Sequence, residues 1–584
     1  MICNTEIETS RKREYDFKIV ASIGLLISVF LLVFSYYIFG SFFESNDDPR
    51  YVLAMKGLVS PLPFEHFFGA YKFTAILYGY LYKHFPEFGW YGFSMFFLLW
   101  AALFNIYITF YLVSKSRINF LLFIMLFITF YFSVFFQNSY CINFARPVIL
   151  VSSSFVILLG VLYLHAEVLR KNKWILFFPI ITFIFAHFTR LDTGYLGFVF
   201  GLVFSVLLIF KEKALVPFLL KFIVPFLLFF ALLETEKVYS ATYGNVNNLC
   251  WEKSELIRKL IDYKNGSEYV PKDVKDQIAY ESIMVTYYFG DDNIFTLDYL
   301  KRLTFECSLL KSGREKKFRE EYGTFSKSLD NENSAANMLN YGLLAIFIIS
   351  FFLSMKGTVF YVIRVVLFQL FFYSIILGLC YYLKLPARIF NPLVVMLTFG
   401  NLVFAFSFLH FTNKLVYWIL VIPLVLFFYS IPTYINKTKE RISYYKEYGR
   451  VNQMMIDDLN KTFQNTIFIP TNGRAWEMHA ATDPIKEINF KNNNSYVYLS
   501  IELSLTPEIK DQLSAKFGTS DHSKLFRNIK EMDNVIFISD ESYNYFLSAY
   551  YHYFYSQDYT FEKVFIHPPL FYQYTGLNYY RIKR

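Results

Sequence analysis

Apolar residues do not alternate with polar ones along this chain. They gather into runs of about 18 or more, the length a helix needs to cross a hydrocarbon core of roughly 30 Å. Such runs at about 17–43, 90–113, 119–137, 147–166, 174–189, 193–210, 214–233, 338–355, 358–383, 390–411 and 415–432 predict about eleven spanning helices. Inside lipid every backbone N–H and C=O must pair within its own segment, so such runs can only be helical. The fold class read from this pattern is an all-α polytopic membrane protein spanning 17–432, behind a short polar N-terminus, 1–16. Three longer polar stretches interrupt or follow the runs, at 44–89, 234–337 and 433–584. The last contains two strand-like runs, TIFIP (466–470) and NVIFIS (534–539), around a helix-like stretch 501–533, which predicts a small α/β domain. Residues 66–85 are short for a crossing and carry Lys72, Lys83, His66 and His84; they predict a helix lying in the interface.

Composition agrees with the pattern. Hydrophobic residues make up 55% of the 584 and charged residues 18%, against about 25% charged in a soluble domain. This excludes a soluble enzyme and a nucleic-acid binder, and the net charge of +9 takes on a different meaning. Much of the positive charge sits in short connections, where it sets orientation. With the N-terminus in the cytoplasm, Arg11, Lys12, Arg13, Lys115, Arg117, Arg170, Lys171, Lys173, Lys211, Lys213, Lys356 and Lys414 fall inside. Only Arg146, Arg190, Lys384 and Arg388 then fall in short outer connections. This orientation puts 44–89, 234–337 and 433–584 outside, together with the C-terminus. The first apolar run is too long for a signal-peptide core and lacks a small-residue cleavage site, so it reads as a retained helix. The five cysteines show no metal-ligand spacing; Cys250 and Cys307 share one polar stretch and could pair there.

Charges near the ends of membrane helices are expensive unless paired or wet. Here they are Asp47 and Asp48 with Arg50 after the first run, Arg146, Arg190 with Asp192, and Lys384 with Arg388. The predicted topology puts all of them on one side. Arg and Lys clamp phosphate, Arg with a bidentate fork, and a carboxylate can take a proton from an attacking hydroxyl. A lipid-linked phosphosugar presents its phosphate at that depth. Each candidate also has a plain structural reading: a solvated turn before Pro49, headgroup anchors at Arg146 and Arg388, a local ion pair at Arg190 and Asp192. Asp291-Asp292, in YYFGDDN, reads as a surface turn, and His187 as a polar residue bonded to a neighbouring helix. Asp47 and Asp48 could hold a hard cation such as magnesium or manganese through oxygen, but no residue set specifies a metal. The sequence has no nucleotide-phosphate loop, dinucleotide fingerprint, HExxH or nucleophile elbow, which favours a lipid-linked over a nucleotide-linked donor.

At ESNDDPRYVLAMKGLVS (44–60) the chain resembles the first outer loop of polytopic bacterial glycosyltransferases of the GT-C superfold, similar to the O-antigen glucosyltransferases and related membrane proteins of surface-polysaccharide loci. FPEFGWYGF (85–93), HFTRLDTG (187–194) and KLPARIFNP (384–392) resemble further outer segments of such proteins. The resemblance covers about 17–432. It implies a polyprenyl-phosphate-linked sugar donor, a glycan or lipid acceptor, and transfer on the outer face of the bacterial cytoplasmic membrane. It also implies an acidic base or acceptor-positioning residue at Asp47 or Asp48, lipid-phosphate contacts at Arg190 and Arg388 with Arg146 beside them, and an acceptor-holding role for the C-terminal domain. Three other readings stay open: a polysaccharide polymerase or ligase, which depends on arginines but little on Asp47 or Asp48; a transporter or flippase, with charges through the midplane; and a non-catalytic scaffold.

Overall fold

The computed structural model describes residues 16–44, 47–57, 72–114, 118–210, 215–243, 249, 252–253, 255–257, 259–261, 269–284, 291–308, 312–353, 359–382, 385–408, 414–471, 483–486, 493–497, 499, 507–564 and 577–583. Among these, seven helices are long and apolar enough to cross a membrane: Phe17–Phe39, Trp90–Ser114, Ala145–Leu164, Leu191–Ile209, Leu215–Thr235, Phe360–Tyr382 and Ala387–Ser407. Three of the other predicted runs form shorter apolar helices, Phe120–Phe135, Lys173–Thr189 and Ser334–Ile349. The last predicted run is the start of one 49-residue helix, Lys414–Thr462. The protein is therefore a helical, membrane-embedded protein.

The Ala145–Leu164 helix is its axis. Every residue from Ala145 to Leu162 is buried, and it packs most extensively against Leu191–Ile209 and Trp90–Ser114, then against Ala387–Phe408. Small residues make the closest of these contacts. A Cβ on Gly197 would stand 2.7 Å from the Ile149 carbonyl oxygen, and one on Gly201 2.6 Å from that of Ser153. Between lipid-facing helices water supplies no driving force, so close backbone approach and interhelical hydrogen bonds do the work. Ser205 donates to the Val156 carbonyl at 2.9 Å. Farther along the bundle, Asn340 donates to Thr398 at 3.0 Å and Asn401 donates to Asn340 at 2.8 Å. Phe17–Phe39 is peripheral, with Leu26, Phe30 and Tyr37 exposed along it.

Two short helices, Asp47–Met55 and Lys72–His84, form the connection after the first long helix. The second buries Ala75, Tyr78 and Tyr82 and exposes Phe73, Ile76 and Tyr80. The polar insertion contributes Val274–Met284, Leu297–Ser308 and Ser312–Asp330. Cys307 within it is a buried free thiol; Cys250, considered as its partner, lies outside the described residues. The C-terminal sheet has five strands in the order Ser495–Tyr496, Ile467–Pro470, Val535–Ser539, Asn578–Ile582, Phe561–Lys563. The first three run parallel, and Asn578–Ile582 runs antiparallel to both its neighbours, Val535–Ser539 and Phe561–Lys563. Its strands occupy the TIFIP and NVIFIS runs. The Lys414–Thr462 helix continues through residue 433, so the compact α/β part starts only after Thr462.

Candidate functional site

The first long helix ends at Gly40, whose φ of 84° turns the chain out of the helix, a conformation glycine adopts without penalty. The next residues form a two-residue parallel ladder, Phe42 beside Cys141 and Phe43 beside Ile142. The Glu44 N–H then donates to the Ile142 carbonyl at 2.9 Å. This register brings the connection after the first long helix against the turn that precedes Ala145–Leu164.

Buried acids and arginines from several elements meet around that register. Arg146, fully buried, donates from Nε and Nη2 to the two carboxylate oxygens of Glu44 at 2.8 and 2.6 Å. Its Nη1 donates to Asn138 at 3.2 Å. Asp48, also fully buried, accepts from Tyr91 Oη at 2.8 Å, Asn143 Nδ2 at 2.9 Å and the Phe144 N–H at 3.0 Å. Arg441, from the 49-residue helix, lies 3.3 Å from Glu44 and 2.5 Å from Glu332. Burial pushes the Glu44 carboxyl up, but the charge and hydrogen bonds of Arg146, with Arg441 and Arg388, hold it below the ordinary carboxylate value.

Phe144 is the meeting point of the remaining pair. The Arg190 guanidinium lies 4.9 Å from its ring centroid, and that of Arg388 lies 5.9 Å from it. Arg190 comes from the break between Phe177–Thr189 and Leu191–Ile209; Arg388 from the first turn of Ala387–Phe408. Arg190 also pairs with the half-exposed Asp192 at 3.2 Å. Each guanidinium is held by the ring's quadrupole, so two cations from separate connections meet one aromatic ring.

Of the sequence-predicted residues, the fold gathers Asp48, Arg146, Arg190, Asp192 and Arg388 at one end of the bundle. The Asp47 and Arg50 side chains and all of Lys384 lie outside the described residues. Arg146 departs from its expected phosphate-binding role: its fork is filled by Glu44 and Asn138. Asp48 has three donors, so it orders the turn 143–144 more than it offers a basic oxygen. Among the described residues no group of three or more His, Cys, Asp or Glu side chains gathers to hold a metal. His187 is buried, with Nδ1 2.9 Å from the Phe183 carbonyl in its own helix and its ring against Gly194 of the next helix.

Sequence reasoning missed Glu44, although it opens the very segment that carries the resemblance; an acid so close to a helix end was the available signal. Arg441 and Glu332 had no such signal, because both sit in polar stretches where charge is ordinary. The Asp291-Asp292 pair does sit in a turn with Asp292 exposed, but the turn is not free in solvent. Asp291 is buried and accepts from Tyr550 at 2.8 Å and from Tyr555. Asp292 pairs with Lys253 at 2.7 Å and with Lys510. The pair docks the insertion onto the C-terminal domain. No family model matches the chain, and no curated protein matches it.

Proposed function

We propose that the protein is a membrane glycosyltransferase of GT-C type, moving a sugar from a polyprenyl-phosphate-linked donor to a cell-surface glycan or lipid at the outer face of the bacterial cytoplasmic membrane. In this reading the N-terminus is cytoplasmic, and the C-terminal domain lies outside and helps hold the acceptor. One observation carries it: Arg190 and Arg388, from connections far apart in sequence, lie over the same Phe144 ring, whose N–H is held by an acid of the first connection, Asp48. Guanidiniums so placed suit the phosphate of a lipid-linked sugar, and Lys384 is a further cation of the same connection as Arg388 in the sequence.

The transfer itself is a single displacement at the sugar. The acceptor hydroxyl oxygen attacks the anomeric carbon, the bond from that carbon to the donor phosphate breaks, and polyprenyl phosphate leaves with the electron pair. Arg190 and Arg388 offset the charge growing on the departing phosphate. The acceptor proton goes to a carboxylate. With Asp48 engaged by three donors, that base is Asp47, and Asp48 holds the turn. Surface glycans and lipid-linked intermediates compared among wild type, Asp47→Asn, Asp48→Asn and Arg388→Gln test this. Asp47→Asn and Arg388→Gln should lose the product at normal protein level. Unchanged glycans in all variants would overturn the enzyme reading.

The saturation of Asp48 favours a second reading, a polymerase or ligase acting on lipid-linked glycans. There Arg388→Gln loses product while Asp47→Asn retains it. A transporter or flippase fits less well, because these charges collect at one end of the bundle rather than along its midplane.

A further inference from the structure

We infer that Arg441 is a positioning residue, through which the helix carrying the C-terminal domain sets the turn that presents Phe144 to Arg190 and Arg388. The inference rests on the reading of that turn as part of a phosphate-binding site, and it adds a residue that reading did not contain.

Arg441 sits just over half way along Lys414–Thr462, the helix that leads to the compact C-terminal domain. It is one-fifth exposed and joins two acids from different parts of the chain, Glu44 at 3.3 Å and Glu332 at 2.5 Å. Glu332 ends the insertion and also accepts from Gln137 at 2.8 Å. Glu44 is the partner of the fully buried Arg146, and its own N–H is bonded to Ile142. A continuous chain of charge therefore runs from Glu332 through Arg441 and Glu44 to Arg146, two residues from Phe144. Aromatic contacts add a second tie: Arg441 lies 5.7 Å from the Tyr445 ring, and Tyr445 stacks on Phe42 of the ladder.

The chemistry makes the arrangement more than a surface clasp. Glu44 carries one negative charge and faces two guanidiniums, Arg146 and Arg441. Without Arg441, Glu332 loses its cation and Glu44 its contact with the last helix. The ion-pair link from the end of the first helix to the last helix would then be gone, leaving the two-residue ladder, Arg146 and neutral contacts such as the Ser41 hydroxyl donating to the Ser139 carbonyl. A single lysine keeps the charge but reaches one acid at a time, whereas the planar guanidinium meets both.

The full-length protein in lipid nanodiscs tests this by amide hydrogen exchange in the segment 141–146, together with binding of a polyprenyl monophosphate as probe. Arg441→Gln should raise exchange at Phe144, whose amide is bonded to Asp48, by about tenfold and weaken probe binding about as much. Arg441→Lys should restore a good part of both. Arg450→Gln, which removes an exposed intrahelical pair with Glu447, should change neither. Unchanged exchange at Phe144 in Arg441→Gln overturns the inference. So does exchange raised equally in every helix with no rescue by lysine, which marks general destabilisation. A different outcome separates the two levels: if exchange at Phe144 responds but neither Arg190→Gln nor Arg388→Gln alters probe binding, Arg441 positions the turn and the phosphate-site reading fails.

Discussion

Arg146 illustrates how a single residue changes meaning between sequence and fold. At the start of an apolar helix it reads as a phosphate clamp or a headgroup anchor. In the structure its guanidinium is buried and locked on Glu44. Breaking a buried pair by removing one partner typically costs about 3–5 kcal/mol, because a charge is left uncompensated. Arg146→Met should therefore lower stability by that order, and adding Glu44→Gln should recover part of the loss, as thermal unfolding in detergent would read. Glu44 also fixes the direction of a pH effect. Its carboxyl is held below the ordinary value of 4.5 by Arg146, Arg441 and Arg388 against the opposing effect of burial. Its contribution is thus fully present above that value and is lost as pH falls through the lowered one. Unfolding temperatures measured from neutral pH down through the lowered value should fall less in Glu44→Gln than in wild type.

The helices depend on small residues where they touch. Gly197 and Gly201 stand four residues apart, on one face of Leu191–Ile209, and meet the backbone of Ala145–Leu164. A larger side chain there must push against a carbonyl oxygen rather than a flexible side chain. Gly201→Leu should cost at least about 1–3 kcal/mol, the usual range for overpacking, and should reduce the folded fraction in size-exclusion profiles. Gly378→Leu offers the contrast, since a Cβ there meets nothing within 4 Å; it should leave the profile as it is. The G-x-x-x-G spacing was visible in the sequence. Its partner helix was not, because a spacing marks a face and says nothing of what lies on it.

Over the whole molecule, the extramembrane parts are tied to the bundle and to each other at separate places. Tyr36 donates to the Asp483 carboxylate at 2.8 and 3.0 Å, and a Cβ on Gly92 would meet the Pro484 carbonyl oxygen at 1.9 Å. Asp291 and Asp292 join the insertion to the C-terminal domain. The Asp292 carboxyl is held below its ordinary value by Lys253 and Lys510 in spite of partial burial. That docking should loosen as pH falls through the lowered value, and Asp292→Asn should loosen it at neutral pH. Protease sensitivity of the 244–333 stretch in the intact protein reads both; resistance unchanged in Asp292→Asn would assign the docking to Asp291 and its tyrosines. The same contacts bring the C-terminal domain to the end of the bundle where the charged turn lies.

The chain's membrane character, its helical class, the positions of most helices and two of its strands follow from local pattern alone. Long apolar runs must be helical in lipid, and the short β-rich runs 466–470 and 534–539 have few other uses. That charges at the ends of those helices are costly was also legible, and it singled out Asp48, Arg146, Arg190 and Arg388. Which of them meet at one turn and which neutralise one another was decided only in three dimensions. The two-residue ladder that sets Glu44 against Arg146 joins positions about a hundred residues apart, and Arg441 reaches the same acid from nearly four hundred residues away. Hydrophobic periodicity reports what each segment must bury; it carries no information on the partner that a buried charge will find.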